Sequence, residues 1–351
     1  GVFAFVESEV LPLEQEYRHI LADEAKLFAD DGKLVPEIQQ ARKDVRSKSG
    51  KAGYWAMFAP ESIGGGGLTP LVSIHVQEAL YRKYGPGHLL MSWANAFITT
   101  PLIGSFVDGP SHMFTTASEI IRTDVVPSLV SGEKTICFAL TEPDAGSDLW
   151  NLKCRARKEG DHWVINGAKQ WITNAPYADY AAVFAVTNEE MLAKHKGGIT
   201  GFLVDTSLPG VDTSAILPVI GHVSSDCGSV VLEDVRVSED YILGEVDQGF
   251  RISMMGISEG RLGFAAGGLG MAEWALDRSL EYAKERRTFG RPLADRQAIQ
   301  WMLADSAIEI YTAKYAALQT ARLVEEYRAV GRVPIKEVSI VKAYMMEMAQ
   351  R

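Results

Sequence analysis

The chain has 351 residues, 47% of them apolar and 23% charged, and a formal net charge of −10. That length allows about two or three domains around large cores, and the acidic balance excludes a binder of bare phosphate backbones, which needs a basic face. Three cysteines outside any CxxC or CxxH spacing exclude a disulfide framework and a structural zinc site and fit a reducing compartment, while the lack of an apolar run of about 18 residues excludes a transmembrane helix.

Residues 1–133 read as an N-terminal helical domain. Gln39, Ala41 and Val45, then Ile74, Glu78 and Tyr81, fall on helical spacings. Thr69 before Pro70 is a helix start: a hydroxyl cap, then a residue that needs no N–H. Gly64-Gly65-Gly66-Gly67 lacks the Gly-Lys-Ser/Thr ending of a phosphate loop and reads as a flexible or close-packed connector.

The period changes over 134–240, which reads as a compact antiparallel β-domain. Leu152 to Lys158 and His162 to Asn166 flank Glu159-Gly160-Asp161 as a hairpin, and Asn166-Gly167 reads as a second turn. Tyr180 to Thr187, Gly201 to Asp205 and Ser229 to Val237 are further apolar strands. Residues 241–351 return to helical periodicity. Leu269, Ala272, Leu276, Leu280 and Ala283 form one stripe; Ile299, Leu303, Ala307, Ile310, Ala313 and Ala317 form another. This C-terminal domain reads as an incomplete antiparallel bundle, giving an α+β chain in the order helical, β, helical. Gly267-Gly268-Leu269-Gly270 follows no strand, so close helix packing explains it better than a dinucleotide fingerprint.

Two segments carry chemistry. In Cys137 to Asp148, Pro143, Gly146 and Asp148 force a turn. Backbone N–H groups there, with the hydroxyls of Thr141 and Ser147, suit a polar ring edge or a phosphate. The plainer alternative is a surface loop in which Asp148 caps a helix. In Lys169 to Ala175 a strand ends in an indole and a threonine, with β-domain core as the plain reading of Trp171. Arg286-Arg287 has its own plain reading, a solvated helix end that complements the helix dipole.

Together these segments resemble the acyl-CoA dehydrogenase family. Thr141-Glu142-Pro143-Asp144-Ala145-Gly146-Ser147-Asp148 matches the signature loop of the family. Gly167-Ala168-Lys169-Gln170-Trp171-Ile172-Thr173-Asn174 and Glu285-Arg286-Arg287-Thr288-Phe289-Gly290, followed by Gln297, match two further motifs in order. The resemblance implies FAD. Phe138, Leu140 and Thr141 would edge the flavin ring, with Gly146 in the same loop and Ser147 where flavin and acyl thioester meet. Trp171 and Ile172 would lie at the flavin, Trp171 packed on it, and Thr173 would bond near its N5. Arg286, Thr288, Phe289, Arg296 and Gln297 would reach the FAD of a neighbouring subunit, the guanidinium forks suiting a pyrophosphate. Trp93 to Thr99 would form the floor of the acyl pocket or simply be core.

The resemblance also implies the reaction. A carboxylate would take the α-proton of an acyl-CoA thioester, and the β-hydride would pass to flavin N5, giving a 2-enoyl-CoA. Enolate stabilisation needs donors at the thioester oxygen, and hydride transfer needs roughly 3–3.5 Å between the reacting atoms. In most members the base follows a later Gly-Gly-x-Gly segment, so it is expected beyond Arg351. A minority place it just before an arginine, here Gly260 before Arg261. Glu259 is one residue off, about 100° around the helix. Ser258 and Arg261 fall at substrate-contacting positions, Ser258 where relatives often carry an aspartate. The implied partners are acyl-CoA and an electron-transfer flavoprotein, in a homodimer or homotetramer serving β-oxidation in a bacterial cytoplasm or mitochondrial matrix. Alternatives on the same fold are an acyl-CoA oxidase, a flavin monooxygenase-like relative, or a non-catalytic partner subunit.

Overall fold

The computed structural model describes residues 1–21, 23–85, 113–219, 227–328, 330 and 332–351. Trp93 to Thr99 lie outside the described residues. The chain forms two compact units: the described residues up to 67 and from 113 to 257, and residues 68–85 with those from 258 onward.

The first unit is a sheet with helices. Its strands are β1 (Ile136–Ala139), β2 (Arg155–Glu159), β3 (His162–Thr173), β4 (Tyr180–Val186), β5 (Ile199–Asp205), β6 (Val211–Asp212), β7 (Cys227–Ser238) and β8 (Ile242–Leu243). Their order is β6-β7-β3-β2-β4-β5-β8, with β1 also on β4. The expected hairpin is present: β2 and β3 pair from Glu159↔His162 to Arg155↔Asn166. The sheet departs from pure antiparallel pairing at two places, where β1 and the start of β2 run parallel to β4. These pairs are not joined by tight turns, so nothing forces the antiparallel sense on them.

β4 explains the layout. Its run Tyr-Ala-Ala-Val-Phe-Ala-Val is buried throughout. Tyr180, Ala182, Phe184 and Val186 face a core with Trp55, Phe114, Ile121 and Leu129 from the helical part. Ala181, Val183 and Ala185 face the opposite core, with Ile165, Ile172, Phe202, Val204, Val230 and Val235 from the other strands. A strand buried on both faces reads as a continuous apolar run because each face must be filled. Helix α1 (Pro36–Lys51) belongs to this unit and buries Ile38, Ala41 and Val45, with proline in its first turn. The glycine run packs closely: a Cβ on Gly65 would sit 2.2 Å from Ala59 O.

Asn166-Gly167 is not a turn. β3 runs through it as one twelve-residue strand. Asn166 exchanges hydrogen bonds with Asp234, whose φ is +50° at a bulge in β7. Gly167 has φ +150°, and a Cβ there would lie 2.7 Å from Cys154 Cα. The Asn-Gly pair, usually a turn, here accommodates a bulge and a close strand.

The second unit is helical: α2 (Pro70–Tyr84), the part of α3 (Gly249–Glu285) from 258 onward, α4 (Gln297–Arg328) and α5 (Ile335–Gln350). The Thr69 hydroxyl caps α2, accepting from Val72 N. Leu269, Ala272, Ile310, Ala313 and Ala317 of the expected stripes join Ile74, Val338, Val341 and Met345 in one core. The glycine cluster lets helices approach: a Cβ on Gly270 would lie 2.4 Å from Glu78 O, and on Gly267 3.0 Å from Tyr81. The first turns of α4 are less covered. There Ile299, Met302 and Leu303 line a groove of about 550 Å³ with Leu276, Tyr282 and Met348. Among the described residues no helix is long and apolar enough to cross a membrane.

Candidate functional site

The loop after β1 closes on itself. Glu142 N donates to Ala145 O at 2.9 Å, and Ala145 N returns to Glu142 O at 3.2 Å. Asp148 caps the short turn Leu149–Asn151, accepting from Trp150 N at 3.1 Å, as the plainer reading of this loop expects. Leu140 is buried, Thr141 half-buried, and Gly146 and Ser147 exposed. Among the described residues neither the Thr141 nor the Ser147 hydroxyl has a hydrogen-bond partner, so both are available to a ligand. Phe138 is half-buried, its ring 5.0 Å from that of Phe184.

The end of β3 lies beside this loop: Gln170 N donates to Thr141 O at 2.9 Å. Between Lys169↔Val230 and Ile172↔Gly228 the ladder slips, so Gln170 and Trp171 oppose only Ser229. This bulge resets the alternation. Lys169 and Ile172 both point inward, while Trp171 stays 52% exposed with φ +61°. A bulky residue in the left-handed region costs about 1–2 kcal/mol, and such strain clusters at functional sites. The plain core reading of Trp171 therefore fails. Thr173 is half-buried, and Asn174 (φ +67°) donates to Ile136 O at 3.3 Å, fixing the strand end to β1. An exposed indole beside unpartnered hydroxyls and a donor-bearing loop fits a flat, polar-edged aromatic ring such as the flavin of FAD.

The second unit carries the third motif on its own device. β9 (Arg287–Thr288) and β10 (Arg291–Pro292) form a two-residue hairpin with Arg291↔Thr288 paired. Both turn residues have positive φ: Phe289 +52° and Gly290 +80°. The Phe289 ring is 97% exposed. Arg296 braces this tip, donating from Nη2 to Thr288 O at 2.6 Å and to Thr288 Oγ1 at 2.8 Å, with its guanidinium 5.5 Å from the Phe289 ring centre. Arg286 and Gln297 are exposed, without a side-chain hydrogen bond to any described residue. On α3, Ser258 is buried and Arg261 donates to Ser339 Oγ at 3.2 Å. Gly260 faces open space, and the side chain of Glu259 lies outside the described set.

The structure thus joins the first two motifs, and sets the third on a separate hairpin. Sequence reasoning missed the roles of Glu142 and Lys169. Both sit inside the quoted motifs, yet a lysine in a strand reads as solvent-facing. Their opposite charges in two adjoining segments were the available signal.

Comparison with known proteins settles the family. The acyl-CoA dehydrogenase middle-domain profile matches residues 137–235, and the C-terminal-domain profile matches 247–351.

The chain belongs to the acyl-CoA dehydrogenase family.

It is 36% identical over 345 residues to the human mitochondrial short-chain specific acyl-CoA dehydrogenase, covering 98% of this chain and 75% of that one. It is 33% identical to the CarC subunit of the caffeyl-CoA reductase-Etf complex of Acetobacterium woodii, over 90% of this chain and 78% of that one. The crystal structure of a probable acyl-CoA dehydrogenase from Mycobacterium abscessus superposes with a TM-score of 0.79 at 28% identity, covering 99% of this chain and 83% of that one. The oxidoreductase assignment and the mixed helix-and-sheet fold follow from these matches.

Proposed function

We propose that this family member binds FAD and interconverts an acyl-CoA thioester and its 2-enoyl-CoA. The observation that carries the reading is the strained, exposed Trp171 beside the Thr141 loop. Thr141, Ser147 and the loop N–H groups would bind the ring edge, Leu140 would line it, Trp171 would pack on it, and Thr173 would hydrogen-bond near its N5. Bound FAD supplies the acceptor for the β-hydride. Arg286 and Gln297 offer charge and amide donors suited to a pyrophosphate, with Phe289 as an apolar contact and Thr288–Arg296 holding the tip rigid. In the proposal these groups serve a neighbouring subunit, and the exposed Phe289, Trp301, Ile308, Tyr311 and Tyr315 support a homo-oligomer. Ser147 would orient the thioester, lowering the entropy cost of reaction. The α-proton would go to a carboxylate desolvated so that its pKa rises towards that of the activated carbon acid.

The relative in a reductase-Etf complex supports an electron-transfer flavoprotein as redox partner, and makes enoyl reduction the second reading. Titrating the FAD-loaded full-length protein anaerobically with acyl-CoAs of varied length and branching should bleach the flavin band. Titrating the reduced protein with 2-enoyl-CoAs should restore it, and the faster direction identifies the working one. No change in either direction with any thioester would refute the proposal.

A further inference from the structure

The two flavin-site motifs meet through a buried ion pair that the proposed chemistry does not use. Lys169 is 0% exposed although it lies in a strand. Its Nζ donates to Glu142 Oε1 at 2.7 Å, Phe184 O at 2.6 Å and Leu140 O at 3.1 Å. An ammonium has three N–H bonds, and all are used. Glu142 is also buried. Its Oε1 accepts from Cys154 N at 3.0 Å and its Oε2 from Lys153 N at 2.6 Å. The network is closed and every member is satisfied.

Such a pair adds little net stability over an apolar pair of equal volume, because desolvation offsets the attraction. What it adds is direction. Lys169 ties β3 to β4 and to the loop at Leu140; Glu142 ties the loop to the start of β2. Lys169 occupies the Leu140 carbonyl, and Gln170 N–H occupies that of Thr141. With both carbonyls engaged inward, the loop is left to present donors, including the free hydroxyls of Thr141 and Ser147. The bulge that exposes Trp171 begins directly after Lys169, so the same anchor fixes both sides of the ring site.

We infer that Lys169 and Glu142 are positioning residues for FAD: a buried clamp that holds the donor edge of the Thr141 loop in register with Trp171. The inference rests on the flavin reading above. It is tested with full-length K169M, E142Q and the double variant K169M/E142Q, by denaturant unfolding without FAD and by fluorescence titration with FAD. Each single variant leaves one uncompensated buried charge and should unfold at lower denaturant. The double variant, with no buried charge, should recover stability. All three should bind FAD more weakly by about tenfold or more, since the charge-assisted anchor is gone in each. A clamp that served only stability would make affinity recover along with the fold. A folded double variant that binds FAD like wild type therefore overturns the inference. A wild-type protein that takes up no FAD overturns the flavin reading and the clamp's role together.

Discussion

Phe289 sits where folding physics would choose another residue, and replacing it should reveal what it is for. The tip is a two-residue hairpin with positive φ at both positions, the geometry that favours Asn-Gly. Phe289→Asn keeps the left-handed backbone and relieves most of its cost, because asparagine tolerates a region where an aromatic pays about 1–2 kcal/mol. No burial is lost, because the ring is 97% exposed. What is lost is the contact with Arg296 at 5.5 Å, an exposed cation–π pair worth about 0.5–1 kcal/mol. The difference, from about zero to about 1.5 kcal/mol, predicts a variant at least as stable as wild type. Urea unfolding of the FAD-free protein at low concentration measures it. FAD affinity, measured in parallel, should fall, because the aromatic contact is gone. A variant less stable than wild type would refute the strain argument. One with unchanged FAD affinity would remove Phe289 from the proposed site.

Three further outcomes are expected. Gly270→Ala drives a Cβ to 2.4 Å from Glu78 O, so α2 and α3 must separate, at about 1–3 kcal/mol in urea unfolding. Gly268→Ala clashes only with the terminal methyl of Met346, which can swing away, while Met345 O at 3.5 Å is in ordinary contact, so it should stay within about 0.5 kcal/mol of wild type; equal losses would contradict the packing geometry. Burial and the neighbouring Glu78 raise the Glu273 carboxyl above its usual 4.5, against the pull of Lys314 and Arg82. A raised acid stabilises the fold fully below pH 4.5 and loses that contribution as pH climbs through the folded value. Glu273→Gln should therefore gain stability relative to wild type as pH rises from 4.5 towards neutrality, and a flat difference would count against it. Burial pushes the thiol of Cys137 up to about 12 and that of Cys154 to about 11. Neither should react with iodoacetamide in the native protein at mildly alkaline pH, and both should react in urea; rapid native modification seen by mass spectrometry would show that the core opens.

Much of this protein is local and was legible from local signals. The Glu159-Gly160-Asp161 turn sets the β2–β3 hairpin because two flanking alternating runs leave it no other partner. Thr69-Pro70 starts α2 because the cap and the missing N–H act within one turn. The three motifs identify the family by themselves, and Thr141, Ser147 and Trp171 are exposed or half-buried as ligand-binding groups must be.

Other features depend on which strands become neighbours. Asn166-Gly167 carries the composition of a turn, but β7 pairs through it and converts it into a bulge. Strict alternation puts Trp171 on the same face as Lys169; the slip opposite Ser229 sends the indole out and leaves the lysine in. That lysine is tolerable inside only because Glu142, twenty-seven positions earlier, and two backbone carbonyls reach it. Sequence determined which residues could make a flavin site, since side-chain chemistry and turn preference are properties of short segments. Tertiary structure alone decided which face each one takes and which charge is buried, because register and desolvation are settled by partners distant along the chain.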